Sequence, residues 1–130
     1  MSIIPTNQEP EFWLSGTIPG IPFLLQPAAH ALLQSRRELD QYTKDFPEAL
    51  LWEKLSGRAS AGFHIQHLNV KVEEALGYFK TIDEKELKEV RTVGRKKLPS
   101  TVLGLLFHAA EHSQRHIGQL LVTVSVLQQK

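Results

Sequence analysis

The chain has 130 residues, with fifteen Lys and Arg against fourteen Asp and Glu, a net charge of +1, and no cysteine. That length is one domain with room for a single core, and the balanced charge gives no electrostatic reason to bind nucleic acid or an anionic membrane. Without cysteine there is no disulfide, no thiolate metal ligand and no protein thiol nucleophile.

The start, MSIIPTNQEPEF, has neither a basic segment nor a long apolar run, so it does not read as a signal peptide. Residues 1–26 hold Pro5, Pro10, Pro19, Pro22, Gly16 and Gly20, a density of breakers that excludes a helix or a long strand. Phe12, Trp13, Leu14, Ile18, Ile21, Phe23, Leu24 and Leu25 are too apolar for a free tail. The expectation is an irregular arm packed on the domain.

Pro27 opens a first helix over 27–46, with Ala29, Leu32, Leu33, Leu39, Tyr42 and Phe46 near helical periodicity. Pro47 ends it, and His30 near its start could face inward. After a connection over 47–59, Ser60 is a plausible N-cap for a second helix over 60–80. Ala61, Ile65, Leu68, Val72, Leu76 and Phe79 form its core stripe, while Phe63, Val70 and Tyr78 populate a second apolar face. Residues 81–98 are charged. They predict one or two helical turns starting near Asp83 and Glu84, then a solvated loop through RTVGRKK. Pro99, Ser100 and Thr101 punctuate the start of the longest helix, 100–128. Its closing VTVSV favours a strand by propensity, but tertiary context is expected to keep it helical. His, Gln and Glu interrupt every apolar stretch, so no segment reads as membrane-spanning. The fold expected is an all-α bundle of three long helices in a soluble cytoplasmic domain.

Five of the six histidines fall in two windows: His64 and His67 in GFHIQHL, and His108, His112 and His116 in LLFHAAEHSQRH. The last three stand four residues apart, which stacks their imidazoles on one helix ridge. One such histidine alone would read as a polar surface or a satisfied core group. Together on two amphipathic helices they point to a transition metal ion. Periodicity brings His64 nearer the core stripe than His67, and the second apolar face keeps that choice open. His112-x-x-x-His116 with one histidine from the earlier helix leaves coordination positions free, as a catalytic site does. The competing H-x-x-E-H of His108, Glu111 and His112 is the inverted zinc protease signature, but no Asp or Glu follows Glu111 to complete it. No Glu-x-x-His occurs either, which argues against a carboxylate-bridged di-iron bundle.

GFHIQHL together with LPSTVLGLLFHAAEHSQRHIGQL resembles the DinB/YfiT-like metalloprotein superfamily, and the resemblance extends to WLSGTIPGIPFLLQPAAHALLQSRREL. Its most specific part is H-x-x-x-H-x-G-Q at 112–119. The resemblance implies one DinB-like domain over 1–130, an up-and-down helical bundle, and a divalent ion such as zinc or nickel on His67, His112 and His116. It further implies metal-dependent S-transfer with a low-molecular-weight thiol and a small-molecule electrophile. Separately, Glu111 and His108, beside these ligands in the sequence, are candidates to accept the thiol proton or to orient a ligand. A non-catalytic metal-binding or stress-associated interaction protein is the alternative. The family usually carries another long helix between the two histidine helices, and 81–98 cannot hold one. The groove so exposed predicts a homodimer in which two chains cover each other.

Overall fold

The computed structural model describes residues 9–129, and three long helices carry the fold among them. Helix α1 spans Gln26–Thr43, α2 spans Ala61–Phe79 and α3 spans Val102–Gln128. Their starts have local chemical causes. Pro27 sits in the first turn of α1, where its missing N–H costs nothing. Ser60 Oγ accepts a hydrogen bond from the Phe63 amide at 3.2 Å, and Thr101 Oγ1 accepts one from the Gly104 amide at 3.0 Å. Each satisfies an amide that the first helical turn leaves unpaired. α1 stops three residues short of the expected 46. The Phe46 amide closes a turn onto the Thr43 carbonyl at 3.2 Å, and Pro47 bars a restart.

The direction of each helix follows from what its ends touch. Ala28, Ala29 and Leu32 from the start of α1 pack with Val72, Leu76 and Phe79 from the end of α2, and with Val102 and Ala110 early in α3. Leu39, late in α1, joins Ala61 and Leu68 from early α2 and Ile117, Leu120 and Val124 from late α3. The helices thus run up, down and up around two apolar clusters. Each fully buried Leu or Phe contributes about 1.5–3 kcal/mol by leaving water.

Between α1 and α3 lies a polar layer. Ser35 Oγ and Ser113 Oγ stand 2.9 Å apart, Ser113 Oγ donates to the Ala110 carbonyl, and Gln114 Nε2 donates to the Ala31 carbonyl and to Ser35 Oγ. Every buried side-chain nitrogen and oxygen among the described residues has a partner. A buried layer of this kind is tolerated only when it is satisfied in this way.

From residue 9 onward the arm lies on α1 through Ile18, Ile21 and Leu25, while Trp13, Leu14, Phe23 and Leu24, also expected to pack, are exposed; its first eight residues lie outside the described residues. It contains single turns at Phe12–Leu14 and Phe23–Leu25. The buried Gln26 amide ties it down, accepting from the Ile18 amide at 2.7 Å and donating to the Ile18 and Ile21 carbonyls. Arg37 donates to the Pro10 carbonyl at 2.8 Å and lies 4.0 Å above the Phe12 ring.

The region 81–101 adds one small hairpin to the helical fold expected. Asp83 does cap a short turn, Glu84–Lys88, by accepting from the Lys85 amide. Beyond it, strands β1 (Val90–Val93) and β2 (Leu98–Thr101) pair antiparallel, with Val90 opposite Thr101 and Val93 opposite Leu98. Gly94 at φ 73° begins the reversal, and RTVGRKK forms a hairpin rather than an open loop. Pro99 and Ser100 belong to a strand, and its last residue, Thr101, is the N-cap of α3, which starts at Val102. The described chain is predominantly α-helical with one two-stranded hairpin. Val122–Val126 stays inside α3 as expected, and no helix among the described residues is long and apolar enough to cross a membrane.

Candidate metal centre

Because α2 and α3 run antiparallel, the ascending pair His64 and His67 meets the descending pair His116 and His112. One nitrogen from each of His67, His112 and His116 lies within 4.8 Å of the other two. His116 Nε2 is 3.0 Å from His112 Nε2, and the His67 ring centroid is 4.5 Å from that of His116. Three nitrogens on a tetrahedral zinc ion stand about 3.3 Å apart at Zn–N distances of about 2.0–2.1 Å. The two α3 rings already hold close to that spacing, and His67 faces them from across the seam. With imidazole as the whole donor set, the cluster can hold a divalent transition metal ion.

Burial and neighbouring charges keep His112 and His116 ready to ligate. Burial, then the neighbouring His67, His112, His64 and Arg115, push the His116 pKa down from 6.5 to about 4. Burial first, then Arg115, His67 and His108, lower that of His112. Burial and His67 lower that of His64. All three shifts favour neutral imidazole, the form whose lone pair binds metal.

Periodicity and family resemblance favour different histidines on α2, and the structure separates their places. His64 is 2% exposed and lies behind the cluster, with its Nδ1 3.0 Å from His116 Nδ1. His67, half-buried, belongs to the three-nitrogen group. Phe63, which the pattern put on a secondary apolar face, stacks on the His67 ring at 5.5 Å and 10° between planes. Its spacing of four residues before His67 was the available signal, since i and i+4 share a helix face.

The remaining candidates stand apart from the cluster. His108 and Glu111 are exposed and pair with each other, Nδ1 to Oε1 at 3.3 Å. The ring centroids of His108 and His112 are 6.3 Å apart, and the three-nitrogen group takes His116 in place of His108. The geometry does not match the H-x-x-E-H arrangement. His30 turns to the arm, where its Nε2 donates to the Gly16 carbonyl at 2.8 Å.

A groove of about 490 Å³ opens beside the cluster between α2 and α3. Leu32, Leu68, Ala75, Leu105, Leu106 and Ala109 make it apolar, His67, His112 and His116 line it, and His108, Lys71 and Glu74 add polar groups to its wall. Its size is that of a small-molecule site. Comparisons of the chain with protein-family models, with curated proteins and with solved structures find no match.

Proposed function

We propose that this chain is a DinB-like, divalent-metal-dependent enzyme that transfers a low-molecular-weight thiol to a small electrophile. The observation that carries the reading is the convergence of three imidazole nitrogens within 4.8 Å on the wall of an apolar groove. His67, His112 and His116 would hold a zinc or nickel ion, and the bound ion would supply Lewis acidity that favours the thiolate form of a thiol. The thiol comes from outside, in keeping with a chain that has no cysteine. Leu68, Leu105, Leu106 and Ala109 take up the apolar body of the substrate and keep water from the reacting atoms. His108, on the groove wall, accepts the thiol proton at Nε2, while Glu111 accepts its Nδ1–H and fixes the ring. Glu111 does not line the groove, which favours the orienting role for it and the acceptor role for His108.

The working form in this reading is a cytoplasmic homodimer. Phe63, Val70 and Tyr78 on α2, and Val126 on α3, are exposed on the faces that carry His67 and His112. A second copy laid over these faces takes the place of the helix usual in the family. Light scattering is expected to give twice the 14.7 kDa chain mass; a single-chain mass would refute the dimer.

The same exposed faces favour one alternative, a non-catalytic metal-binding or stress-associated interaction protein. Elemental analysis of the native protein, followed by assays pairing small thiols with a generic electrophile, separates the two. Metal-dependent thiol consumption lost in His116→Ala supports the enzyme. Bound metal with no turnover for any thiol supports the alternative.

A further inference from the structure

We infer that His64 is the positioning residue of the metal centre: it accepts the Nδ1–H of His116 and so keeps His116 Nε2 unprotonated and aimed at the ion. This rests on the metal-binding reading proposed above and adds to it a residue that is not a ligand.

His116 uses its two ring nitrogens in different directions. Nε2 faces the Nε2 of His112, another member of the three-histidine cluster, at 3.0 Å. Nδ1 faces His64 Nδ1, also at 3.0 Å, on the protein side. Where no ion sits between them, two nitrogens at that distance share one proton, since two N–H groups would clash and two lone pairs would repel. Only two neutral arrangements exist. If His64 donates, the His116 proton sits on Nε2 and no lone pair is left for a metal. If His116 donates, its Nε2 lone pair is free and His64 carries its own proton on Nε2. Only the second is compatible with ligation.

The fold fixes the partner as well as the contact. His64 is 2% exposed and sits one helical turn before His67, so a single turn of α2 supplies both a ligand and the support of another ligand. The two rings meet edge to face, with centroids 5.1 Å apart and planes at 62°. That orientation aims nitrogen at nitrogen instead of stacking the faces. Partners of this kind commonly set the tautomer and ring angle of a metal-bound histidine.

Zinc(II) titration and long-range ¹H–¹⁵N spectra of the imidazoles test the inference on the full chain. In zinc-loaded wild type, His116 is expected as the Nδ1–H form with Nε2 ligating, and His64 as the Nε2–H form. His64→Leu removes the acceptor at similar volume, and zinc affinity is expected to fall about 10–100-fold. His64→Asn restores an acceptor near the original Nδ1 position, and affinity is expected within about threefold of wild type. If the Leu variant does not fold, the wild-type tautomers and the Asn variant still decide. Ligation of His116 through Nδ1, or equal affinity in wild type and His64→Leu, overturns the positioning role while leaving the metal centre standing. Loss of zinc in His64→Asn as complete as in His112→Ala makes His64 a ligand and also overturns it. A wild type that takes up no zinc or nickel refutes the metal reading, and this inference with it.

Discussion

The two seams of α3 put polar groups at the same height and treat them in opposite ways. Toward α1, Ser113 and Gln114 meet Ser35 and the Ala31 carbonyl, and the hydrogen-bonding groups close on one another. Toward α2, His112 and His116 direct nitrogens at each other and at His67 beside an open groove. The first seam spends its polarity on holding two helices together. The second gathers imidazole nitrogens on the wall of an open groove, where an ion from outside can reach them. Two neighbouring residues, His112 and Ser113, divide the two tasks because one step along a helix turns the side chain by about 100°.

The largest expected break in this contrast comes from removing a ligand. His112→Ala leaves two imidazoles, and stoichiometric zinc or nickel binding is expected to vanish in calorimetry while the helical circular dichroism persists. Full retention of binding would place the metal elsewhere. On stability, Leu120→Ala empties a fully buried position in the cluster joining late α3 to early α2. Urea denaturation is expected to show a loss of about 2–5 kcal/mol. Ser113→Ala removes one member of the α1–α3 polar layer, with an expected loss of about 1–3 kcal/mol and no change in metal content. A loss of metal in that variant would show that the seams are not independent.

The smallest effect is one of pH on the metal-free protein. The folded His116 pKa of about 4 lies below its ordinary 6.5. Between those values the unfolded chain binds a proton that the folded chain refuses, so stability falls as pH drops through this window. Above 6.5 this group contributes no slope. The difference between wild type and His116→Gln in urea midpoints across the window isolates it, because other carboxylates and histidines titrate in both. An identical pH dependence in the two proteins would contradict the lowered pKa.

Much of this architecture was legible in residues read one after another. Pro27, Ser60 and Pro47 mark helix limits through local chemistry: a missing N–H, a capping hydroxyl and a forbidden φ/ψ region. Leu68, Val72, Leu76 and Phe79 all point into the core, as their three-to-four spacing requires. The short turn after Asp83 and the irregular arm were legible for the same kind of reason. The hairpin was not. Val90–Val93 and Leu98–Thr101 are only four residues each, so their pairing depends on each other and on the seat that the buried Leu87 and Val102 provide at the base. The charges of Arg95, Lys96 and Lys97 at the turn read equally well as an open loop.

The candidate site divides along the same line. By itself the sequence determined that His108, His112 and His116 share one ridge, because helical geometry is local and repeats every 3.6 residues. It also determined that no cysteine of this sequence joins them. Periodicity left His64 and His67 open and the family resemblance implied His67; the tertiary structure places His67 in the three-nitrogen group, His64 behind His116, and His108 against Glu111. Periodicity orders residues around one helix axis, but which nitrogens meet depends on how two helices face across a seam. Along α2 that facing is set by buried contacts with two partners at once, and no spacing within a single helix records it.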